Sequence, residues 1–387
     1  MMVQNDRVCP LSPHDQDLTM PRRAPVELVR VFIALSVAAI AGGMTAVFAE
    51  DVPDRVQGNW VGEWKLDNGG GGGKQTAQVV ALGKGEYQAA FTAYDGSEMQ
   101  SETFRFLISG SLVDGKGQFS TQINLGDKLG TFDWKAEIAK DMLLGTFTNR
   151  KNYIGTLTLK RADLKPDGVG AKPLDGAEVL FDGKNLDRWT TADGKPTAWK
   201  LMDGALQVAR ASDDEKTARH LVLRESLGSM QLHLEYRTPY LPEARGQERG
   251  NSGVFLQGRY EIQIVDSFGQ PRERNNFGDL SDDDSAGAIF KYAPPTENVT
   301  LPPGEWQSLD ITFIPAVPDA KGKAEKSAEI SVVHNGKPIH ERQKVHKPTD
   351  GAPVRDLTSK SPGLILEDGG QAVEFRNIWV VRLDPAK

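Results

Sequence analysis

The chain has 387 residues, more than one typical hydrophobic core needs and enough for two or three domains. Its formal net charge is −7, a sign that argues against nucleic acid as the partner. The 40 glycines and 22 prolines lie between short apolar runs, and this distribution favours many turns and a β-rich fold.

The first 49 residues read as an export signal. Arg22 and Arg23 precede the apolar run 31–40, and a small-residue cleavage pattern ends at Ala49. We therefore predict a signal peptide over residues 1–49, a secreted or periplasmic bacterial protein, and no stable membrane span after cleavage. An uncleaved membrane anchor is the alternative, although the apolar stretch is marginal in length for a span.

The chain has a single cysteine, Cys9, which lies ahead of the predicted cleavage point. The mature chain would therefore have no thiol, and this excludes disulfides, cysteine nucleophiles and zinc–thiolate sites. The histidines of the mature chain form no His-Glu-x-x-His pattern, and no two of them are spaced as a pair of metal ligands would be. No metal ligands are therefore predicted among them.

Residues 50–161 predict a small all-β accessory domain, an antiparallel barrel or sandwich. Short strand-like segments alternate with glycine turns, from GNWVGEWKL at residue 58 to IGTLTLKR at residue 154. Six to eight strands of this size suit such a fold. The proline, glycine and charge content of residues 162–176 is typical of a linker.

Residues 177–387 predict a second, larger β domain. About eleven strand-like segments, among them AGAIFKY at 286–292, are too many for one open sheet and suit two packed antiparallel sheets. Asn335-Gly336 predicts a tight hairpin, because this pair favours the turn whose twist fits paired strands. We expect a jelly-roll sandwich.

Polar residues interrupt a buried-strand pattern between residues 249 and 267. Glu261 and Gln263 share one face of the predicted strand, opposite the apolar residues that alternate with them. A carboxylate beside an amide can exchange a proton and orient a polyhydroxylated ligand, which suits a sugar. An ordinary solvated strand face is the alternative. Asp266 joins this face only if the strand ends or bulges.

Several landmarks of the second domain follow a familiar order. They are LFDGKNLDRW at 180–189, WKLMDGALQV at 199–208, LEYR at 234–237, NSG at 251–253, YEIQIVDS at 260–267, GAIFKYAPP at 287–295, GEW at 304–306 and VEFRNIWV at 373–380. Together they resemble the secreted 3-keto-disaccharide hydrolase family over residues 177–383. The resemblance implies a concanavalin A-like sandwich and an oligosaccharide or 3-keto-glycoside as partner.

The resemblance also implies a reaction. A ketone at carbon 3 acidifies the proton at carbon 2, so that a base can remove it and expel the carbon 1 substituent by β-elimination, after which water adds back. Such a site needs a base, a donor for the enolate oxygen and an acid for the leaving group. Glu261 is the implied proton-transfer group, with Gln263 and Asn251 orienting hydroxyls or donating to the enolate.

Further site residues are implied by the same resemblance. Glu235 and Arg237 share one face of their strand and would pair beside the site, with Asp266 as another substrate contact. Lys291 would polarise the ketone, although a solvated strand end is the alternative for this lysine.

The chain departs from the family pattern at two positions. Where members usually have a Leu-Gln-Asp-His-Gly turn, this chain reads LEDGG at 366–370, so Gly369 replaces the histidine, and Phe290 stands where tyrosine is frequent. Either Glu367 or Asp368 supplies the missing group, and Asp368 is the second candidate catalytic residue. Otherwise the domain is a non-catalytic carbohydrate-binding module.

Two more possibilities follow from acidic residues. A conventional β-glucanase would carry a carboxylate where Gln263 stands, and this substitution argues against it. The acidic loop at 282–284 has the oxygen ligands that calcium prefers but lacks EF-hand spacing. We predict no cofactor, with calcium at this loop as the alternative.

Overall fold

The computed structural model describes residues 54–383 except 68, 70, 95–101, 126, 128–129, 152, 163, 210–219 and 271–279. The predicted signal peptide and Cys9 lie outside these residues. Within the described part, no helix is long and apolar enough to cross a membrane. The described residues include two short 3₁₀ helices, Gly246–Glu248 and Asp282–Asp284.

The first eight strands close into an antiparallel barrel, in which each strand pairs with the next and the last returns to the first. Alternate side chains point inward and fill the barrel with apolar residues such as Trp60, Phe91 and Trp134. The strands are β1 Gly58–Leu66, β2 Gly72–Gly83, β3 Glu86–Tyr94, β4 Glu102–Val113, β5 Lys116–Asn124, β6 Thr131–Ala139, β7 Met142–Asn149 and β8 Ile154–Arg161.

The remaining strands build a two-sheet sandwich and one small hairpin. They are β9 Glu178–Phe181, β10 Trp189–Thr191, β11 Lys200–Met202, β12 Ala205–Gln207, β13 Leu221–Leu223, β14 Met230–Arg237, β15 Ser252–Leu256, β16 Tyr260–Ile264, β17 Gln307–Ile314, β18 Val317–Pro318, β19 Ala324–Lys326, β20 Ala328–His334, β21 Lys337–Val345, β22 Leu364–Leu366 and β23 Glu374–Arg382. The five-stranded sheet has the order β10-β13-β22-β15-β16. The eight-stranded sheet has the order β11-β12-β23-β14-β17-β20-β21, with β9 paired to β23, and β18 pairs with β19.

The core of the sandwich lies between these two sheets. Ile262 and Ile264 of β16 share one apolar cluster with Leu234 and Tyr236 of β14. Burying each such side chain contributes about 1.5–3 kcal/mol, so the alternation fixes which face of each strand points inward. The predicted all-β fold, a small antiparallel barrel followed by a sandwich, is confirmed.

Two local predictions have different outcomes. Asn335 and Gly336, at φ 51° and 78°, form the tight turn between β20 and β21, as predicted. The predicted strand 286–292 is wrong, because Gly287 and Lys291 also have positive φ, at 80° and 51°, and break the pleat into turns. These turns still cover the open edge of β16, where the backbone N–H of Gln263 donates to the Ala288 carbonyl at 3.0 Å.

The predicted linker packs on the outer face of the eight-stranded sheet. The backbone N–H of Gly170 donates to Glu235 Oε1 at 2.7 Å, and the Asn377 amide donates to the Ala171 carbonyl at 2.8 Å. Ser308 Oγ adds a bond to the Asp167 carbonyl at 2.9 Å. The segment is therefore held by side chains of three neighbouring strands.

The barrel and the sandwich belong to one compact unit. Asp54 Oδ2 accepts hydrogen bonds from Tyr87 of the barrel at 3.0 Å and from Tyr240 of the sandwich at 2.7 Å. Nearby, Arg245 donates to the Leu82 carbonyl at 2.7 Å. The sandwich segment that leads into β15 is therefore attached directly to the end of the barrel.

Candidate active site

Two glutamates meet on the outer face of the five-stranded sheet. Glu261 points outward because its neighbours on β16 face the core. Glu367 follows β22, and its backbone N–H donates to the Gly253 carbonyl of β15 at 2.9 Å. The two side chains approach across β15, and a hydrogen bond joins their carboxyl groups.

Gly253 leaves the room that the Glu261 carboxyl group occupies. A Cβ atom at this position would lie 2.5 Å from Glu261 Oε1 and 3.0 Å from its Cγ. Any larger residue would therefore displace the glutamate from the sheet surface. This contact explains the glycine of the NSG motif.

The surroundings of the pair favour retention of a proton. Burial, the neighbouring charge of Glu367 and the hydrogen bond to it raise the pKa of Glu261 well above its usual range. Burial raises the pKa of Glu367 to about 7. The hydrogen bond from Glu261 lowers this pKa, and the charge of Asp368 raises it further. Burial therefore favours retention of a proton by the pair, and the hydrogen bond raises the pKa of Glu261 while it lowers that of Glu367, which favours Glu261 as the donor.

This arrangement changes the roles expected from the sequence. The sequence singled out Glu261 as the base, but Glu261 is only 4% exposed, and its burial and the neighbouring charge of Glu367 favour its protonated form. Glu367 retains partial exposure and directly follows the end of β22. The carboxylate of Glu367 is therefore the better-placed proton acceptor.

Four amide side chains lie beside the carboxyl pair. Gln263 Nε2 donates to Gln247 Oε1 at 2.6 Å and to Asn251 Oδ1 at 3.3 Å. The backbone N–H of Asn251 donates in turn to Gln371 Oε1 at 3.1 Å. Within the described residues, Gln263 Oε1 is buried without a hydrogen-bond partner. That oxygen is an acceptor that no described donor uses.

The turn after β22 brings a histidine to the site from another part of the chain. The backbone N–H of Asp368 donates to His220 Nδ1 at 3.0 Å, and Asp368 Oδ1 accepts from the Gly370 backbone at 3.0 Å. A Cβ atom at Gly369 would lie 2.2 Å from the Asn251 carbonyl oxygen, so this backbone leaves no room for a histidine there. His220 supplies an imidazole beside the same turn.

Asp266 and Lys291 are engaged elsewhere. β16 ends at Ile264, and Asp266 turns into a buried ion pair in which Arg249 Nη2 donates to its carboxylate at 2.6 Å. Lys291 forms ion pairs with Asp283 and Asp284 of the acidic 3₁₀ helix. Neither side chain has a described contact with the carboxyl pair, so their roles as substrate contacts stay predictions without geometric support.

The expected pairing of Glu235 with Arg237 is wrong. Both side chains lie on the outer face of the eight-stranded sheet, so the sandwich core separates them from Glu261. Glu235 accepts from Arg376 at 2.7 Å, whereas Arg237 donates to Glu374 at 2.6 Å. Alternation along β14 correctly placed the two residues on one face, but it could not specify which sheet the strand joins.

Sequence reasoning left four residues of this neighbourhood out of its candidate site. Gln247 sits in a short 3₁₀ helix, and Gln371 lies between β22 and β23. His220 directly precedes β13, and Glu367 was considered only as a substitute for a missing histidine. The LEDGG departure was the one signal that pointed to Glu367. Among the residues that the structure describes, no group of three or more His, Cys, Asp or Glu could hold a metal ion. Calcium at the acidic loop stays an untested prediction.

Comparison with known proteins identifies the sandwich. A family model described as a 3-keto-alpha-glucoside-1,2-lyase-like domain matches residues 176–381, which confirms the resemblance. Two solved structures from Parabacteroides distasonis ATCC 8503, whose descriptions include the words glycosyl hydrolase, are similar to this chain. The first has 28% identity and a TM-score of 0.47, covering 54% of this chain and 84% of its own. The second has 19% identity and a TM-score of 0.40, covering 54% and 95%.

The comparison with curated proteins returned no match. The family match extends over more than half of the chain and includes both glutamates of the carboxyl pair. It also includes the four amide side chains beside them. The protein is therefore carbohydrate-active, and it belongs to the 3-keto-alpha-glucoside-1,2-lyase-like domain family.

Proposed function

We propose that this protein cleaves glycosides that carry a ketone at carbon 3, with the glutamate pair as its acid and base. The observation that carries the proposal is the hydrogen bond between the carboxyl groups of Glu261 and Glu367, in buried surroundings that raise the pKa of both groups. One of the two groups can then accept a proton while the other can donate one.

In the first step, the Glu367 carboxylate removes the proton at carbon 2. The electrons of the C–H bond form a double bond between carbons 1 and 2, and the bond from carbon 1 to the leaving oxygen breaks. A pKa of about 7 suits this role, because a general base works best when its pKa lies near the working pH. The ketone supports the step by delocalising the developing charge as an enolate.

Glu261 holds the proton that the leaving oxygen requires. Its hydrogen bond to Glu367 is lost when Glu367 takes up the substrate proton, which frees the Glu261 proton for transfer. Water can then add across the new double bond and complete a net hydrolysis. The same pair accounts for both proton transfers, and neither requires the histidine that Gly369 replaces.

The amide side chains are suited to orienting the hydroxyl groups of a sugar. Gln263 Oε1 is an acceptor without a described partner, and the adjacent Asn251 is partly exposed. Phe290, at the position where relatives often have tyrosine, contacts the site through its backbone, whose N–H donates to the Glu261 carbonyl at 3.1 Å. This contact does not depend on the side chain that the substitution removed.

The test compares 4-nitrophenyl 3-keto-glucoside with its unoxidised parent and follows nitrophenolate release by absorbance. We expect turnover of the keto compound only, and a loss of about 10²–10⁴-fold in Glu367→Gln and in Glu261→Gln. Glu329→Gln, which makes the same change at an exposed hydrogen bond with Arg342, is the matched control and should retain turnover. Thermal unfolding of each variant reports on folding.

Two results would contradict the proposal. Equal release from the unoxidised parent would indicate a conventional glycosidase. Saturable binding without turnover, unchanged in both glutamine variants, would indicate a carbohydrate-binding module.

We further propose that the protein is exported by a signal over residues 1–49, on the basis of the basic and apolar segments described above. The expected mature N-terminus is Glu50. Sequencing the N-terminus of protein recovered from the periplasm or medium tests this, and recovery of the uncleaved chain from the cytoplasm would refute it.

A further inference from the structure

We propose that the groove between the barrel and the sandwich binds a neutral saccharide, as a second sugar site apart from the glutamate pair. The groove contains a cavity of about 430 Å³ lined by residues of both parts. This volume falls within the range of about 300–1,000 Å³ that is typical of small-molecule sites. The inference shares the carbohydrate class with the proposed function but does not depend on the keto chemistry.

The walls of the groove are held in place by hydrogen bonds. Asp54 accepts from the Tyr240 hydroxyl at 2.7 Å, which ties the barrel wall to the sandwich wall. On the barrel side, Arg161 donates to the Gln57 carbonyl at 2.6 Å and lies over the Trp60 ring at 4.6 Å. A rigid cavity loses little freedom when a ligand enters.

Thr238 provides a polar group that the protein itself leaves without a partner. The residue is 1% exposed and lines the cavity, and its Oγ1 has no hydrogen-bond partner within the described residues. Its backbone carbonyl is occupied by the Gly304 N–H at 2.9 Å. A buried hydroxyl without a partner is costly for the fold, and rotation of the Thr238 side chain toward the cavity would let a ligand hydroxyl satisfy it.

Three planar polar groups line the wall beside Thr238. Arg237 donates to Glu374 Oε2 at 2.6 Å and lies over the Trp306 ring at 4.8 Å. Gln207 donates to the other oxygen of the same carboxylate at 2.9 Å. A guanidinium, a carboxylate and an amide in this order offer both donors and acceptors, as adjacent sugar hydroxyls require.

The charge of the lining favours a neutral ligand. Arg161 and Arg237 face Asp54, Glu305 and Glu374 around the cavity, so neither sign dominates. A phosphate or polyanion would need an excess of positive charge. The tyrosine and proline surfaces of the groove suit the apolar faces of a sugar ring instead.

The groove extends beyond the first cavity. A second cavity of about 370 Å³ shares Arg161, Pro302 and Glu305 with it and continues along the barrel. The two spaces together offer room for more than one sugar ring. An oligosaccharide is therefore a better candidate than a monosaccharide.

The groove and the glutamate site are bordered by the same loops. A Cβ atom at Gly250 would lie 3.0 Å from Thr238 Cβ, and Asn251 of the glutamate site follows directly. On the second loop, Ala372 lines the groove while Gln371 accepts from the Asn251 backbone. A glycan held in the groove is thus bound next to the loops that carry site residues.

The experiment measures binding of maltotetraose and cellotetraose to the full chain by titration calorimetry and hydrogen–deuterium exchange. We expect at least one of these probes to slow exchange of the backbone amides of residues 237–238, 240, 304–305 and 372–374. Glu261→Gln should leave this protection intact, because the glutamate pair is not part of the groove. Failure of keto-glycoside turnover would therefore leave this result unaffected.

Thr238→Val removes the unpartnered hydroxyl with almost no change of shape. We expect it to weaken saccharide binding by about 2–13-fold without loss of folding. This is the change in affinity that corresponds to the free energy of one hydrogen bond. Thr190→Val is the matched control, since Thr190 Oγ1 is also buried without a described partner but lies on β10, outside the groove. The control should bind as the wild type does.

Arg237→Met gives an independent test, with Arg342→Met on the exposed face of β21 as its control. We expect a loss of affinity of about tenfold or more only in Arg237→Met, because a guanidinium that contacts the ligand is removed. The proposal is overturned if the wild type binds neither probe, if protection falls outside the groove, or if the groove variants bind as their controls do.

Discussion

At the scale of single residues, Glu261 and Glu367 differ in their pKa values from ordinary glutamates on an exposed strand face. An isolated exposed glutamate would ionise near its ordinary pKa and only solvate the strand. Here the two carboxyl groups lie against each other over Gly253, and both have raised pKa values. Proximity and burial together therefore convert two ordinary acids into a pair that shares a proton.

The pair should make stability depend on pH in a defined direction. Because burial raises the pKa of Glu367 from its ordinary value of 4.5 to about 7, the folded protein binds this proton more tightly than the unfolded chain does. The stabilising contribution of this proton is complete below about pH 4.5 and is lost as the pH rises through 7. The double variant Glu261→Gln/Glu367→Gln removes this dependence.

Urea unfolding at pH 5 and pH 8 measures the effect. Relative to the double variant, the wild type should lose unfolding free energy between these pH values, on the order of 3 kcal/mol. Glu137→Gln/Glu329→Gln, which removes two acids from exposed hydrogen bonds, controls for the change in net charge and should keep the wild-type profile. Parallel pH profiles of wild type and Glu261→Gln/Glu367→Gln would show that the two carboxyl groups titrate independently of folding.

At the scale of elements, alternation predicted the face of β16 correctly. Alternation could not predict that Glu261 lies next to Glu367, because Glu367 follows β22. That strand joins the same sheet from about a hundred residues further along the chain. It also left open the sheet to which β14 belongs, and Glu235 was misplaced for that reason. The period of a strand is local information, whereas sheet order depends on long-range pairing.

Glu235 has a different role from the one its sequence suggested. Its buried carboxylate accepts from Arg376, Asn377 and the backbone of Gly170, and it also faces His233. Burial alone would lower the pKa of His233, but hydrogen bonds to Asp310 and Glu235 raise it to about 9. The paired charges therefore fix the Glu235 carboxylate, which accepts the hydrogen bond from the Gly170 backbone.

Glu235→Ala should consequently destabilise the protein without affecting chemistry directly. Leaving buried cationic partners without a carboxylate costs about 3–5 kcal/mol. We expect a loss of that size in urea unfolding, with kcat/KM of the folded fraction within about twofold of the wild type. Glu329→Ala, which removes a carboxylate from the exposed pair with Arg342, should cost less than about 1 kcal/mol. A large fall in kcat/KM with unchanged stability would restore Glu235 as a substrate residue.

At the scale of the whole molecule, the barrel supports the segment that carries part of the site. Arg245 donates a hydrogen bond to the Leu82 carbonyl of the barrel, and Phe268 packs on Val80. Gln247 and Arg249 lie between these two anchor points in the chain, and Arg249 is fixed by Asp266. The barrel is thus a structural partner of the sandwich at the very loops that border the glutamate pair.

Asp54 tests this coupling, because its single carboxylate oxygen serves both Tyr87 and Tyr240. Asp54→Ala leaves two partly buried hydroxyls without their acceptor, at about 1–3 kcal/mol each when no water replaces it. We expect faster hydrogen exchange over residues 238–250 and a several-fold fall in kcat/KM, whereas Asp133→Ala, at an exposed hydrogen bond of the barrel, should change neither. If Asp54→Ala loosens only the barrel and leaves exchange and kcat/KM of the sandwich unchanged, the two parts act separately, and the barrel has no role in positioning the site.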